Sequence, residues 1–114
     1  MIATQGYTLG PTESEEAVAI TSIVTLRLKP ESIAQAEQAV RESLELARGF
    51  FGNLGIDVLV DQSDETRWLL VERWESEEAD AAYRAYRAEN GVKSALGPLL
   101  AGPPEVHKYD VSAA

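Results

Sequence analysis

The chain has 114 residues, 45% of them hydrophobic, with 19 acidic against 10 basic side chains and a formal charge of −9. This composition suits one globular domain, and an acidic surface repels phosphate backbones and anionic lipid, so no nucleic acid and no membrane is expected as a partner. The chain has no cysteine and one histidine, His107, which excludes disulfides, thiolate chemistry and a multi-histidine metal site.

Residues 1–17 lack useful periodicity and carry Gly6, Gly10, Pro11 and the acids Glu13, Glu15 and Glu16. They read as a flexible N-terminal arm, with Tyr7 and Leu9 as anchors on a neighbouring subunit. No basic-then-apolar leader and no apolar run near the ~18 residues needed for a bilayer is present, so the expected location is cytoplasmic. The domain proper is placed at residues 18–112.

Ile20 to Leu28 is rich in β-branched residues and reads as a strand. Pro30 and Glu31 then suit a first helical turn, and Ile33, Ala36, Val40, Leu44 and Ala47 form a helical stripe. Glu37 and Arg41 brace its wet face, and Gly49 stops it. Leu54, Ile56, Val58 and Val60 alternate with Gly55, Asp57, Leu59 and Asp61 as a second strand, after Asn53, which serves the turn. Ser63 to Thr66 is a hairpin turn, and Arg67 to Glu75 is a central strand, apolar on both faces in its first half. Ser76 caps the next helix, with Glu77 and Glu78 in its first turn. On that helix Ala79, Ala82, Tyr83 and Tyr86 are placed inward, and Asp80 with Arg84 outward. A short apolar helix follows over Val92, Ala95, Leu96, Leu99 and Leu100, interrupted at Gly97-Pro98. The last strand runs from Val106 to Val111.

The order β-α-β-β-α-β is the split βαβ of the ferredoxin-like α+β fold, a four-stranded antiparallel sheet with helices on one face. The other face, with Ile23, Leu69 and Val71, is too apolar to be left in water. A twofold dimer with its sheets face to face would cover it.

The stretch WLLVERWESEEADAAY, Trp68 to Tyr83, carries the strongest resemblance. It joins a buried strand ending in Trp74 to a helix through Ser76. Upstream lie GNLGIDVLVDQ, Gly52 to Gln62, and a first strand ending in Lys29-Pro30. In this order the chain resembles the antibiotic biosynthesis monooxygenase family of dimeric α+β barrels over roughly residues 18–111. The resemblance implies a homodimer through its sheet faces and a ligand pocket between sheet and helices. It also implies oxidation of a hydroquinone, anthrone or similar aromatic by O2 without a cofactor. Trp68, Leu70, Glu72 and Trp74 on one face of the third strand would line the pocket, under Tyr83 and Tyr86. Leu96 stands nearest to a helix histidine of haem-degrading relatives and belongs with the substrate-binding set.

Each of the aromatic residues also reads as plain core. Glu72, flanked by Leu70 and Trp74, is either a general base at the pocket floor or the partner of an arginine, Arg87 or Arg27. Tyr83 occupies the place of a pocket-facing histidine in many relatives and can donate a hydrogen bond to a phenolate or carbonyl. Arg87, one turn on, would attract an anionic substrate or stack on the Tyr83 ring. His107 reads as an edge or interface residue. Anthrone-oxygenating relatives carry an asparagine and a tyrosine where this chain has Leu70 and Asp80. The nearest matches to the haem-degrading set are Ile23, Tyr83 and Leu96; with no imidazole for the iron, haem degradation is not expected. Two other readings stay open: non-oxidative binding, or polyketide cyclase- or isomerase-like chemistry in the same fold, and a dimer that supports a partner assembly through its acidic arm.

Overall fold

The computed structural model describes residues 19–91 and 95–114. The expected N-terminal arm and Val92 lie outside them. Strand β1 (Ile20–Arg27) leads through a short 3-10 turn (Pro30–Ser32) into helix α1 (Ile33–Arg48). Strands β2 (Asn53–Asp61) and β3 (Asp64–Trp74) form a hairpin, helix α2 (Glu77–Glu89) follows, and β4 (Glu105–Asp110) closes the chain. The sheet is antiparallel in the order β2-β3-β1-β4, and its two central strands are the most buried. This is the expected ferredoxin-like α+β fold.

Alternation in β1 and β3 sets the two faces. Ile20, Val24 and Leu26 are buried on the same side as Trp68, Leu70 and Trp74, against Ala36, Val40 and Leu44 of α1. Full burial of each large apolar side chain contributes about 1.5–3 kcal/mol, and this row supplies much of the core. On the opposite side Ile23, Leu69 and Val71 are half-buried, and Leu59 is exposed. His107 pairs with Ile23 on that face from the edge strand β4.

Three local details differ from the sequence reading. The hairpin turn is tighter than expected, only residues 62 and 63, because two carboxylates hold its flanks. Asp61 Oδ1 accepts from Ser63 N and Oγ, both at 2.8 Å, and Asp64 Oδ1 accepts from Thr66 N at 3.0 Å and Oγ1 at 2.6 Å. These bonds, chiefly the Ser63 amide for Asp61 and the Thr66 hydroxyl for Asp64, hold both carboxyls below their ordinary 3.8. Secondly, among its described residues the apolar segment before β4 forms a 3-10 turn, Gly97–Leu99, around Pro98, with Leu28 bridging Leu100. Thirdly, Ala82 and Tyr86 are exposed, whereas Asp80 is fully buried. The inward face of α2 is thus Ala79, Asp80 and Tyr83, rotated from the expected one by the polar partner that awaits Asp80.

Helix α2 is fixed at its start. Ser76 Oγ accepts from Ala79 N at 3.1 Å, the cap expected of this residue. Gly52 (φ +92°) lies against the same turn: a Cβ there would stand 2.5 Å from that of Ala79. The loop before β2 can approach α2 this closely only without a side chain.

Candidate functional site

Between α2, the 3-10 turn and the inner face of β1, β3 and β4 lies a cavity of about 320 Å³. That is the lower end of the range for small-molecule sites, roughly 300–1,000 Å³. Its walls are mainly apolar, including Val24, Leu70, Leu96, Leu100 and Val106, with Glu72, Tyr83, Arg84 and Arg87 among its polar lining.

The polar groups form two sets. Glu72 is 3% exposed, and its Oε1 accepts from Arg84 Nη2 at 2.7 Å and from Trp74 Nε1 at 3.4 Å. Arg84 also ties Glu72 to Asp80, its Nε lying 3.1 Å from Asp80 Oδ1. That approach is out of line for a hydrogen bond, and Oδ1 accepts none among the described residues. The other oxygen, Oδ2, accepts from Ser22 Oγ at 3.1 Å and meets Lys108 Nζ at 3.1 Å. A buried carboxylate needs such partners, since an unpaired one would be strongly disfavoured. The second set is Tyr83 with Arg87, whose Nη1 donates to the Tyr83 hydroxyl at 2.9 Å. The Tyr83 ring packs against Trp74 and Phe50, each with centroids 5.3 Å away, so core aromatics hold the phenol in place along the cavity that it helps to line.

The sequence profile of antibiotic biosynthesis monooxygenases matches residues 19–95. The chain belongs to the antibiotic biosynthesis monooxygenase family. Solved structures agree on the fold. A candidate antibiotic biosynthesis monooxygenase from Nitrosomonas europaea superposes with a TM-score of 0.68 at 21% identity, covering 85% of this chain and 93% of that one. One from Deinococcus radiodurans gives 0.70 at 23%, covering 83% and 94%. A conserved protein from Methanosarcina mazei Go1 gives 0.70 at 15%, covering 86% and 97%. At these identities the likeness is one of fold. None of the curated proteins matches the sequence.

Within this member of the antibiotic biosynthesis monooxygenase family, the residues singled out from sequence separate into four places. Leu70, Glu72, Tyr83, Arg87 and Leu96 line the same cavity. Trp74 is fully buried behind it, supporting Tyr83 and donating to Glu72. Trp68 faces a different cleft, with Val40, Val58 and Arg48, and its Nε1 donates to Glu65 O; Tyr86 is 41% exposed on α2 and meets the Phe50 ring at a tilt of 60°. Both fall outside the cavity because the even face of β3 is longer than the cavity, and because α2 turns Tyr86 outward. The partner of Glu72 is Arg84, neither Arg87 nor Arg27. Sequence reasoning passed over Ser22 and Lys108, and placed Asp80 and Arg84 on the outer side of α2, where the structure buries Asp80 and brings Arg84 to the cavity. One signal was available: Ser22 interrupts the apolar even positions of β1, and a polar gap in a buried row implies a polar partner opposite.

Lys108 has a testable role as the tie between β4 and α2, contacting Asp80 and Glu77 at 3.1 Å each. The hydrogen bond to Asp80 raises its ammonium above the ordinary 10.5; partial burial opposes this, and the bond to Glu77 adds to it. A raised folded-state value means that this stabilisation is complete below 10.5 and is lost as pH rises through the folded value. Urea midpoints taken at neutral pH and at about pH 11 should therefore fall more in the wild type than in Lys108→Met. Equal falls would show that the tie contributes nothing.

Proposed function

We propose that this protein is a cofactor-independent monooxygenase that oxidises a small aromatic, a hydroquinone, an anthrone or a related polyketide, with O2 in the cavity under α2. The observation that carries this reading is one buried carboxylate, Glu72, placed in a mainly apolar cavity and anchored through a single oxygen. Among the described residues Glu72 Oε2 accepts no hydrogen bond, and so remains for a substrate proton.

The chemistry asked of the protein is modest. Glu72 takes a proton from the substrate, and the electron-rich carbanion or phenolate that results reduces O2 itself. For an anthrone, the ring methylene becomes a carbonyl: one oxygen atom enters the product, the other leaves as water with the two methylene hydrogens. The four electrons come from the substrate, so no external reductant is required. Val24, Leu70 and Leu96, all buried, exclude water around the anion, and Tyr83 offers a hydrogen bond to its oxygen. Family membership supports oxygen chemistry, and the apolar walls support a flat ring.

The same cavity and base would also serve a non-oxidative cyclase or isomerase, a reading favoured by Leu70 at the position where anthrone-oxygenating relatives carry asparagine. The test is oxygen consumption by the chelator-treated protein against a panel of hydroquinones and anthrones, with anaerobic controls. Protein-dependent uptake above autoxidation is expected. Substrate conversion that proceeds equally without oxygen would replace the monooxygenase by the cyclase or isomerase. We further propose a homodimer through the open sheet face, since Ile23, Leu69, Val71 and Leu59 form a continuous apolar surface there.

A further inference from the structure

The Tyr83–Arg87 pair is not used by proton transfer to Glu72, and its composition is unbalanced. Arg41, Arg67, Arg73 and Arg84 each face a carboxylate. Arg87 lines the cavity, is half-buried, and meets no carboxylate among the described residues. Its partner is the Tyr83 hydroxyl, which accepts from Nη1 at 2.9 Å. A phenol that accepts from arginine keeps its own O–H to donate; Tyr83 is 3% exposed, and among the described residues that hydrogen has no acceptor. Two donors therefore converge on the cavity from one helix turn, one of them charged.

Such a pair is completed by an acceptor, and best by an anionic one. Arginine presents several N–H groups in a fixed fork that matches an oxyanion, and charge-assisted hydrogen bonds are roughly twice as strong as neutral ones. The overall charge of −9 does not prevent this, because exposed charges beyond about 8 Å are largely screened at physiological salt. Glu72 in the same cavity and Asp80 on the same helix are already paired with Arg84 and Lys108.

We infer that the cavity takes an apolar ring compound bearing an oxyanion, a carboxylate or a phenolate, which Arg87 and Tyr83 receive together. Arg87 is then the residue that selects acidic aromatic ligands over neutral ones of the same shape. This rests on the cavity being the ligand site proposed above, and the test separates the two claims.

Calorimetric titration would compare naphthoate, naphtholate at alkaline pH, and methylnaphthalene on the wild type, Arg87→Met and Arg87→Lys. Melting curves would confirm that each variant is folded. Naphthoate is expected to bind the wild type at least about tenfold more tightly than methylnaphthalene. Arg87→Met should remove that preference, bringing the naphthoate-to-methylnaphthalene affinity ratio to about one, and Arg87→Lys should keep part of it. If naphtholate alone shows the dependence on Arg87, the oxyanion is a phenolate; if naphthoate does, a carboxylate. Equal binding of charged and neutral rings by the wild type, or full preference in Arg87→Met, would overturn the inference and leave the cavity assignment intact. Absence of binding by all three compounds would remove both.

Discussion

Trp74→Ala is expected to cost about 3–5 kcal/mol of stability, the range for removing a large buried aromatic side chain. A domain of this size has only about 5–15 kcal/mol in total, so the variant would be marginal. Trp74 is fully buried at the end of β3, where Ile20 and Asn53 flank it in the sheet. Its ring meets Tyr83 at 5.3 Å and the edge of Phe50 at 6.5 Å, and its Nε1 donates to Glu72 Oε1 at 3.4 Å. Truncation would remove a wall behind Tyr83 and one of the two donors that hold Glu72. Ligand affinity should therefore fall along with stability, although Trp74 does not itself line the cavity. Urea denaturation followed by circular dichroism checks the first effect. A midpoint within error of the wild type would show that the aromatic cluster is not the support described. Trp74→Phe should recover part of the stability, because it restores an aromatic ring beside Tyr83 but leaves the rest of the indole volume unfilled and loses the weak indole hydrogen bond.

Glu72→Gln separates chemistry from folding. The glutamine amide oxygen can accept the Arg84 Nη2 bond that Oε1 now accepts at 2.7 Å, and Arg84 keeps its contact with Asp80. Arg84 is also 37% exposed, so water partly compensates the lost charge. The stability cost should be of the order of one hydrogen bond to a charged group, about 1.5–3 kcal/mol. Turnover, in contrast, should fall by about 10²–10⁴-fold, the usual contribution of a positioned general base. Initial rates on the substrate that the wild type oxidises fastest would show it. Full turnover in Glu72→Gln would mean that the carboxylate only anchors Arg84 and that another group, or the substrate's own acidity, supplies the proton transfer.

The fold was legible because its signals are repetitive. The alternation in Ile20–Arg27 and the three- and four-residue steps from Ile33 to Ala47 each state a face many times over, and Pro30, Gly49 and Ser76 mark the joints. The resemblance around Trp74 did the rest. The site was legible only in part, since a strand face is a line of residues and a cavity is not. Leu70 and Glu72 line it, whereas Trp68 on the same face opens to another cleft. On α2 the apolar pattern is too thin to fix the helix rotation. Ala82 and Tyr86 read as inward, yet the buried polar contacts of Asp80 with Ser22 and Lys108 turn the helix to present Asp80, Tyr83 and Arg84. Those contacts join β1, α2 and β4, which lie far apart in the chain, and no local spacing announces them. Arg84 was assigned to the outer face for the same reason: an i,i+4 pair with Asp80 looks like surface bracing until the helix is packed.

Blocking the mouth of the cavity under α2 tests directly whether the substrate reacts there. Val106 lines that cavity from the edge strand β4 yet is 50% exposed, so a larger side chain there can fill the opening without overpacking the core. The decisive measurement is oxygen uptake by Val106→Trp beside the wild type, on the best substrate of the panel, with melting temperatures recorded for both. The expected result is an unchanged melting temperature with uptake reduced to the autoxidation rate. A folded Val106→Trp that consumes oxygen at the wild-type rate would place the reaction elsewhere on the molecule.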